Sequence, residues 1–315
     1  MTRILRRALP ALLATPALAQ FARPIRFIVP WPPGGLNDLV ARHFNDRVAQ
    51  GLGQQIITDF RPGAGSRIGV AEIARAPADG SVIGMGNLGP LTIFPHLDRT
   101  PSYDVARDFA AICMFAASPL VLVVNTAQPA RTPAELLARP GGFNYASVGV
   151  GTAQHLIFEM LRGTRTPPPA LQHVPYRGTQ DSLIALMQND VQAMFDALPS
   201  MLGPIRGGQV RAIAVTTPAR VPQLPDVPTL AELGHAVEVA TWYGLIAPAA
   251  LPQPMQARLY EEYTRVAQSA ETQRFLAEQG LIYLPNAPGE FARRIAAESA
   301  RWGQIIRANN IRLEG

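Results

Sequence analysis

Hydrophobic positions along the chain fall into short apolar runs and four-residue stripes, a pattern typical of strands alternating with helices. Residues 24–30 form an apolar run that predicts a first strand, and apolar residues recur every fourth position from Leu36 to Val48, as on one face of a helix. The same reading predicts further strands at 55–59, 81–85, 111–115, 120–124, 143–147, 173–176, 191–195, 210–216 and 244–247, and further helices at 67–76, 152–161, 182–188, 254–268 and 289–308. This alternation with short loops predicts an α/β fold of mostly parallel sheets flanked by helices.

The alternation occurs in two sets, which predicts two domains. Thr132-Pro133 opens the second set with a capping-box sequence. We place the seams near Asn125-Thr126 and Trp242-Tyr243. The length of 315 residues also favours about two domains.

The N-terminal residues 1–19 have the organisation of a secretory signal peptide. Basic residues precede an apolar run from Ala8 to Leu18, which ends in the small-residue box Ala17-Leu18-Ala19. The run is too short and too interrupted by proline to span a bilayer. We therefore expect cleavage before Gln20 and an exported protein. The paired Arg6-Arg7 leaves the choice between Sec and twin-arginine export open, and an N-terminal core helix is the alternative reading.

The composition excludes several classes of enzyme. All 28 basic residues are arginines, so lysine Schiff bases, Walker A loops and kinase-type phosphate clamps are ruled out. The single cysteine, Cys113, excludes intrachain disulfides and multi-cysteine zinc sites, and the five histidines have no metal-ligand spacing. We therefore expect no cofactor and no bound metal. After cleavage 25 arginines would face 23 acidic residues, scattered without a basic stripe, so nucleic acid is not an expected partner.

Two glycine-containing loops at strand-to-helix junctions are candidate anion sites. Gly34-Gly35 follows the first strand, and Gly149-Val-Gly151-Thr152 follows the strand that ends at Ser147. Glycines let backbone amides approach a ligand, and the start of the following helix adds a positive dipole end. Two such loops facing each other across a cleft would hold an anion with two carboxylates. Each loop alone is equally well explained as a tight turn with a helix cap.

Sequence motifs for enzymatic chemistry are incomplete. Residues 84–89 match G-x-G-x-x-G, but Pro90 and Pro95 follow and this is the third strand of its set, so we interpret the segment as a loop. Tyr145 stands where a nucleophile elbow requires glycine. His155 and His173 are interpreted as hydrogen-bonded scaffold residues. Asp196, which ends a strand, is either a ligand contact or the N-cap of the next helix.

Nine motifs in one register resemble the Bug (TctC-type) family of extracytoplasmic solute receptors, which serve tripartite tricarboxylate transporters. The resemblance runs from about Pro24 to Ile311. The motifs are P-I-R-x-I-V-P at 24–30, P-G-G-x-x-D at 33–38, R-P-G-A-G at 61–65, A-D-G at 78–80, S-x-G-x-G-T-x-x-H-L at 147–156, H-V-P-Y-R-G at 173–178, F-D-x-L-P-S at 195–200, L-P-D-V-P-T at 224–229 and W-Y-G-L at 242–245.

The resemblance implies a two-lobed periplasmic binding protein whose cleft closes on its ligand. Residues 20–125 plus 244–315 would form one lobe and residues 126–243 the other. It further implies a monomeric receptor without enzymatic activity, which binds a small di- or tricarboxylic, aromatic or amino acid and docks on membrane subunits of a transporter. The candidate ligand-binding residues are Pro33, Gly34, Gly35, Asn37, Asn87, Ser147, Gly151, Thr152, Tyr176, Arg177, Gly178 and Asp196.

Some residues depart from the family pattern and leave alternatives open. Phe60 and Ser66 replace a usual asparagine and glycine, and Trp31 at the first loop either lines the cleft or packs on the sheet. Asp196 would repel a carboxylate unless a water or an ammonium group intervenes, which keeps amino acids among the candidate ligands. Two other functions remain possible on sequence: a binding subunit that presents ligand to a histidine kinase, and a periplasmic hydrolase or isomerase using Asp196 or His155.

Overall fold

The structure, a computed structural model, describes residues 23–98, 100–176 and 178–312. The proposed signal peptide at 1–19 and the candidate ligand residue Arg177 lie outside these ranges. Within the described residues no helix combines the length and the apolar character that crossing a membrane requires.

A single mixed sheet organises the fold. The described residues form nine strands in the order β2-β1-β3-β9-β4-β7-β5-β6, and β8 also pairs with β4. The strands are β1 Ile25–Val29, β2 Ile56–Phe60, β3 Val82–Asn87, β4 Phe109–Asn125, β5 Phe143–Ser147, β6 Leu171–Pro175, β7 Ala193–Ala197, β8 Val210–Val215 and β9 Ala240–Pro248.

Helices flank this sheet, as the α/β prediction requires. In the described part of the chain they are α1 Leu36–Leu52, α2 Arg67–Arg75, α3 Phe94–Leu97, α4 Val105–Asp108, α5 Pro133–Leu137, α6 Ala153–Arg162, α7 Thr179–Gln188, α8 Leu198–Arg206, α9 Gln253–Gln268, α10 Ala270–Glu278 and α11 Glu290–Ala308. A 3₁₀ turn at Ala64–Ser66 precedes α2, and a π-helical turn at Gly89–Ile93 precedes α3.

Parallel pairing is confined to the outer strands, so the sheet is less parallel than the sequence analysis predicts. In the first strand set, β1 pairs in parallel with β2 and β3. In the second strand set, β5 pairs in parallel with β6 and β7. The central strands β4 and β9 run antiparallel to each other and to their other neighbours. Parallel neighbours need helical crossovers, which α1 and α2 supply in the first set and α6 and α7 in the second.

One long strand, β4, connects the two sets. The two strands expected at 111–115 and 120–124 are one continuous strand of 17 residues. Residues 109–119 pair with β9, and residues 120–125 pair with β7 and β8. Pro119 cannot donate to a ladder, but it lies where β4 changes partners, so the strand continues through it. The sheet therefore continues from the first strand set to the second through β4. The proposed lobe boundaries stay a prediction.

The G-x-G-x-x-G segment is a strand with a π-helical turn, so its interpretation as a loop is wrong. Gly84 and Gly86 lie inside β3. A Cβ on Gly84 would collide with the Ile73 side chain and lie 2.8 Å from the carbonyl oxygen of Ile28. Gly84 therefore permits close packing of α2 against the sheet, and Gly86 does the same for Leu91 of the π-helical turn.

The C-terminal helices pack back on the first part of the chain. The Tyr263 hydroxyl in α9 donates to Asn45 in α1 at 2.9 Å, and Arg258 donates to the Gly51 carbonyl at the end of α1. The indole of Trp242 in β9 is fully buried and donates to Glu298 in α11 at 2.8 Å. These contacts fix α9 against α1, and α11 against the central strand β9.

Candidate functional site

The carboxyl ends of the two strand sets face each other at the middle of β4. Asn87 at the end of β3 pairs with Tyr243, which pairs with Ala116 of β4. From the opposite direction, Asp196 near the end of β7 pairs with Val121 of β4. The two ends are thus separated by the five-residue step from 116 to 121, about 17 Å of extended strand. Loops at the carboxyl ends of strands are where α/β proteins bind ligands.

The first loop, residues 30–35, is held in place by Asp38, the last residue of the P-G-G-x-x-D motif. Gly34 has a left-handed φ of 84°, and its amide donates to Asp38 Oδ2 at 2.9 Å. Asp38 is buried and pairs with Arg42 at 2.5 Å. The Gly34 amide is therefore engaged within the protein, and Gly35, the N-cap of α1, follows without a side-chain cap from the described residues.

The remaining candidates of the first set lie beside this loop. Pro33, Gly34 and Gly35 are exposed, and Asn37 in the first turn of α1 is half-buried. Asn87, also half-buried, ends β3 immediately before the π-helical turn. Trp31 is half-buried and packs against the core cluster that contains Ile25 and Phe27 of β1, as the packing alternative predicts, while a cleft-lining role stays a prediction.

The two sides of the site touch through a segment that the sequence analysis did not identify. A Cβ on Gly151 would overlap the side chain of Leu97, the last residue of α3. Leu97 is buried. The segment 89–97 therefore extends from the end of β3 to the second loop. Pro90 and Pro95 concealed its helical character in the sequence.

The second loop, residues 147–152, is closed on itself. The Ser147 hydroxyl donates to the Gly149 carbonyl at 2.9 Å and accepts from the Gly149 amide at 3.1 Å, and it lies 2.7 Å from His173 Nε2. Thr152 is the N-cap of α6, yet its hydroxyl donates to the Gly149 carbonyl at 2.8 Å and does not cap the helix. Within the described residues the first turn of α6 thus lacks a side-chain cap.

Ser147 and His173 form a hydroxyl–imidazole pair of the kind that serine hydrolases use. Ser147 is fully buried, however, and its oxygen already has three partners. A substrate carbonyl cannot reach it in this arrangement. The pair therefore supports the loop and offers no nucleophile.

His155 and His173 are hydrogen-bonded scaffold residues, as interpreted from the sequence. His155 Nδ1 accepts from the Gly151 amide at 3.1 Å, and the two rings stack with centroids 3.9 Å apart. Burial lowers the pKa of His155 to about 3 and that of His173 to about 4, so both are neutral at physiological pH.

Asp196 is a buried carboxylate at the end of β7. It accepts from the Thr179 hydroxyl at 2.8 Å and from the Ala197 amide at 2.6 Å. Burial raises the pKa of Asp196 to about 6. The N-cap of α8 is Ala197, so the helix-cap alternative for Asp196 is wrong.

The turn after β6 completes the second side. The Tyr176 amide donates to the Ser147 carbonyl at 2.9 Å, which fixes this turn to the end of β5. Gly178 is the N-cap of α7, and no side chain among the described residues caps this helix. Gly151, Thr152, Tyr176, Gly178 and Asp196 are therefore at one edge of the second strand set.

Comparisons with known proteins agree with this architecture. A family model described as "Tripartite tricarboxylate transporter family receptor" matches residues 40–311. Protein BugT of Bordetella pertussis is 32% identical over 299 residues, covering 93% of this chain and 91% of BugT. A Rhodopseudomonas palustris protein solved with adipate is 29% identical with a TM-score of 0.79, covering 92% of this chain and 98% of that one. MatC from Rhodopseudomonas palustris, with bound malate, is 26% identical with a TM-score of 0.74 and coverage of 90% and 99%.

Proposed function

The chain belongs to the tripartite tricarboxylate transporter receptor family, and from that premise we propose that it is a periplasmic receptor for a small carboxylate. The family match confirms the resemblance found from the nine motifs. Members of this family are solute-binding receptors and not enzymes. In the proposed function, the protein binds its ligand without chemical change and presents it to the membrane subunits of a transporter.

The observation that carries this proposal is the pair of uncapped helix starts on opposite sides of the β4 midpoint. α1 follows β1 of the first strand set, and α6 follows β5 of the second. Neither helix has a side-chain cap from the described residues. Free first-turn amides and the positive end of a helix dipole stabilise a carboxylate. Because the starts of α1 and α6 lie at strand ends that face each other, a ligand with two acidic groups could bind one of them at each helix.

The solved relatives support the same class of ligand. One was solved with adipate and another with malate, and both compounds are dicarboxylates. Their folds cover at least 90% of this chain. We extend this class of ligand to the present site, where backbone amides and bridging waters would replace the absent lysines.

We assign the candidate residues unequal parts in this site. The backbone around Gly35 and Asn37 would meet one end of the ligand, and the starts of α6 and α7 the other. Ser147 would act indirectly because its hydroxyl is engaged by the loop. The other proposed contacts are Pro33, Gly34, Asn87, Gly151, Thr152, Tyr176, Arg177 and Gly178.

Asp196 sets a condition on the ligand. Its carboxyl group is ionised at neutral pH because a pKa of about 6 lies below that pH. A second carboxylate beside it would be repelled. Asp196 is buried with both oxygens engaged, so it would act on the ligand through its charge, and a hydroxyl or ammonium group of the ligand or a bridging water on that side would avoid the repulsion.

The proposal includes the cellular location. Residues 1–19 would direct export and be removed before Gln20, which leaves a monomeric protein in the periplasm. The family is one of receptors that act with tripartite transporters. Arg6-Arg7 leaves the export route open.

Thermal unfolding with a panel of acids tests the function. Adipate, malate and citrate are compared with the diamide of adipic acid, which has the same length but no charge. At a hundred times its Kd, a bound acid should raise Tm by roughly 5 °C, since it adds about 2.7 kcal/mol of stability. The diamide should raise it little.

The same samples are then examined by mass spectrometry. Recovery of unchanged acid is expected. A protein that no acid stabilises, or that is stabilised equally by the diamide, is not a carboxylate receptor. Conversion of an acid to a product would make it an enzyme.

A further inference from the structure

The loop before α6 is supported in an unusual way. In a standard capping box the N-cap hydroxyl accepts from the third helical amide, and the third side chain accepts from the N-cap amide. Here the Thr152 hydroxyl is turned back to the Gly149 carbonyl. The early amides of α6 are thereby left open, and the loop needs support from elsewhere.

His155 supplies part of that support from the third position of α6. Its Nδ1 accepts from the Gly151 amide at 3.1 Å, one residue before the N-cap. An imidazole nitrogen that accepts carries no proton, so the proton of His155 is on Nε2. Protonation of Nδ1 would remove the only acceptor that the described residues offer to this amide.

His173 provides the second support of the loop, through its contact with Ser147. The single hydroxyl proton of Ser147 goes to the Gly149 carbonyl at 2.9 Å. With that proton directed to the Gly149 carbonyl, the 2.7 Å contact is one in which His173 Nε2–H donates to the Ser147 oxygen, and the tautomer of His173 decides between this direction and the reverse. The rings of His155 and His173 are stacked with an interplanar angle of 5°, so each fixes the plane of the other.

Burial keeps both rings neutral, and the groups beside them are Tyr145 and its partner Glu159. Tyr145 of β5 stacks on His173 at 5.1 Å and on His155 at 6.2 Å, and its hydroxyl donates to Glu159 at 2.9 Å. Glu159 is also paired with Arg162 at 3.3 Å. The Glu159 carboxylate is thus engaged by a hydroxyl and a guanidinium, and burial lowers the pKa of each imidazole.

We propose that His155 and His173 are positioning residues that hold loop 147–152 so that the first amides of α6 stay open to a carboxylate. This inference rests on the proposed function, because it names what orients the same site. It adds that affinity depends on an acceptor at position 155, although the imidazole itself does not touch the ligand.

Two variants of position 155 separate positioning from simple packing. His155→Gln keeps an acceptor that can reach back, as glutamine does at this position of a capping box. His155→Leu keeps the bulk and removes the acceptor. For adipate and malate, measured by calorimetry, we expect His155→Leu to weaken binding about tenfold, the effect of one lost buried hydrogen bond. His155→Gln should recover most of the affinity.

A readout without ligand distinguishes failure of this inference from failure of the proposed function. In nitrogen NMR the His155 Nδ1 should stay unprotonated from pH 8 to pH 5, and exchange of the Gly151 amide should quicken about tenfold in His155→Leu only. If no acid binds the unmodified protein, the proposed function fails. The NMR measurement then still tests whether His155 holds loop 147–152.

Three results would overturn the inference. The first is wild-type affinity and a protected Gly151 amide in His155→Leu. The second is an equal loss in both variants while each remains folded, which would make the ring a packing element. The third is titration of His155 near its ordinary pKa of about 6.5.

Discussion

At the scale of single residues, Gly34 allows a direct test of where the anion binds. Its φ of 84° favours glycine but also admits asparagine and aspartate, and a Cβ would meet no atom within 4 Å. Gly34→Asp would place a carboxylate at the start of α1, next to Asp38. We expect both Gly34→Asp and Gly34→Asn to fold, with a loss of about 1 kcal/mol each.

The two variants should differ in their response to acids. Gly34→Asn keeps the size of the side chain without its charge, so adipate or malate should still raise its Tm. Gly34→Asp should show no such rise, because the new charge repels the bound carboxylate. An undiminished shift in Gly34→Asp would place the anion elsewhere, and a loss in both variants would mean that the side chain blocks the site by its volume.

The glycine loops could be predicted from sequence, but their internal contacts could not. The positions of Gly34, Gly35 and Thr152 at strand-to-helix junctions follow from local patterns, and the structure has them there. The engagement of Ser147 by His173 joins residues 26 positions apart on neighbouring strands. Such a contact depends on strand order, which periodicity does not encode.

At the scale of elements, β3 tolerates no side chain where its glycines pack. A Cβ on Gly84 would lie 2.8 Å from the Ile28 carbonyl oxygen, and a neighbouring strand's backbone cannot move aside. We expect Gly84→Ala to lower the free energy of unfolding by about 1–3 kcal/mol. Urea denaturation followed by circular dichroism measures this loss.

Gly163 provides the matched control for the same substitution. It is the C-cap of α6 with a φ of −67°, and the nearest atom to a Cβ there would be the Met160 carbonyl oxygen at 3.5 Å. Gly163→Ala should therefore leave stability unchanged or raise it by about 0.5 kcal/mol. A Gly84→Ala protein as stable as Gly163→Ala would show that β3 is not packed as described.

The elements that sequence predicted best are those with a clear period and clear ends. The strand at Phe143–Ser147 has the predicted bounds, and α1 begins at Leu36 as predicted. The sequence predicts two strands, 111–115 and 120–124, where the structure has the single strand β4, because local pattern does not show which partner strands continue the pairing. Helix α10 at Ala270–Glu278 was missed because its polar residues outnumber its apolar ones.

At the scale of the whole molecule, one hydrophobic core passes between the strand sets. A single cluster of buried residues includes Ile28 and Trp242 together with Leu156 and Phe195. The sheet likewise continues through β4. Because both ends of the site rest on this shared sheet, the distance between them is set by the fold and not by the loops alone.

The protonation of buried groups makes the stability of the whole molecule depend on pH. Burial lowers the pKa of His43 and His173 to about 4 and that of His155 to about 3. At pH 5 these rings are neutral in the folded state and charged once unfolded, so unfolding takes up about three protons. Asp196, with its pKa raised to about 6, opposes this by releasing about one.

From these four groups the unfolded state binds about two more protons at pH 5, and His96 and His235, whose pKa burial also lowers, act in the same direction. Stability should therefore rise with pH up to about 6.5 and level off above it. Urea denaturation at pH 4.5 to 7.5 measures the slope, which gives the proton count directly. His43→Gln, far along α1 from the ligand loops, should lower that count by about one while leaving acid binding intact. A stability that is flat or falls between pH 4.5 and 6.5 would contradict the neutral burial of these histidines, and with it the fixed tautomers on which the loop before α6 depends.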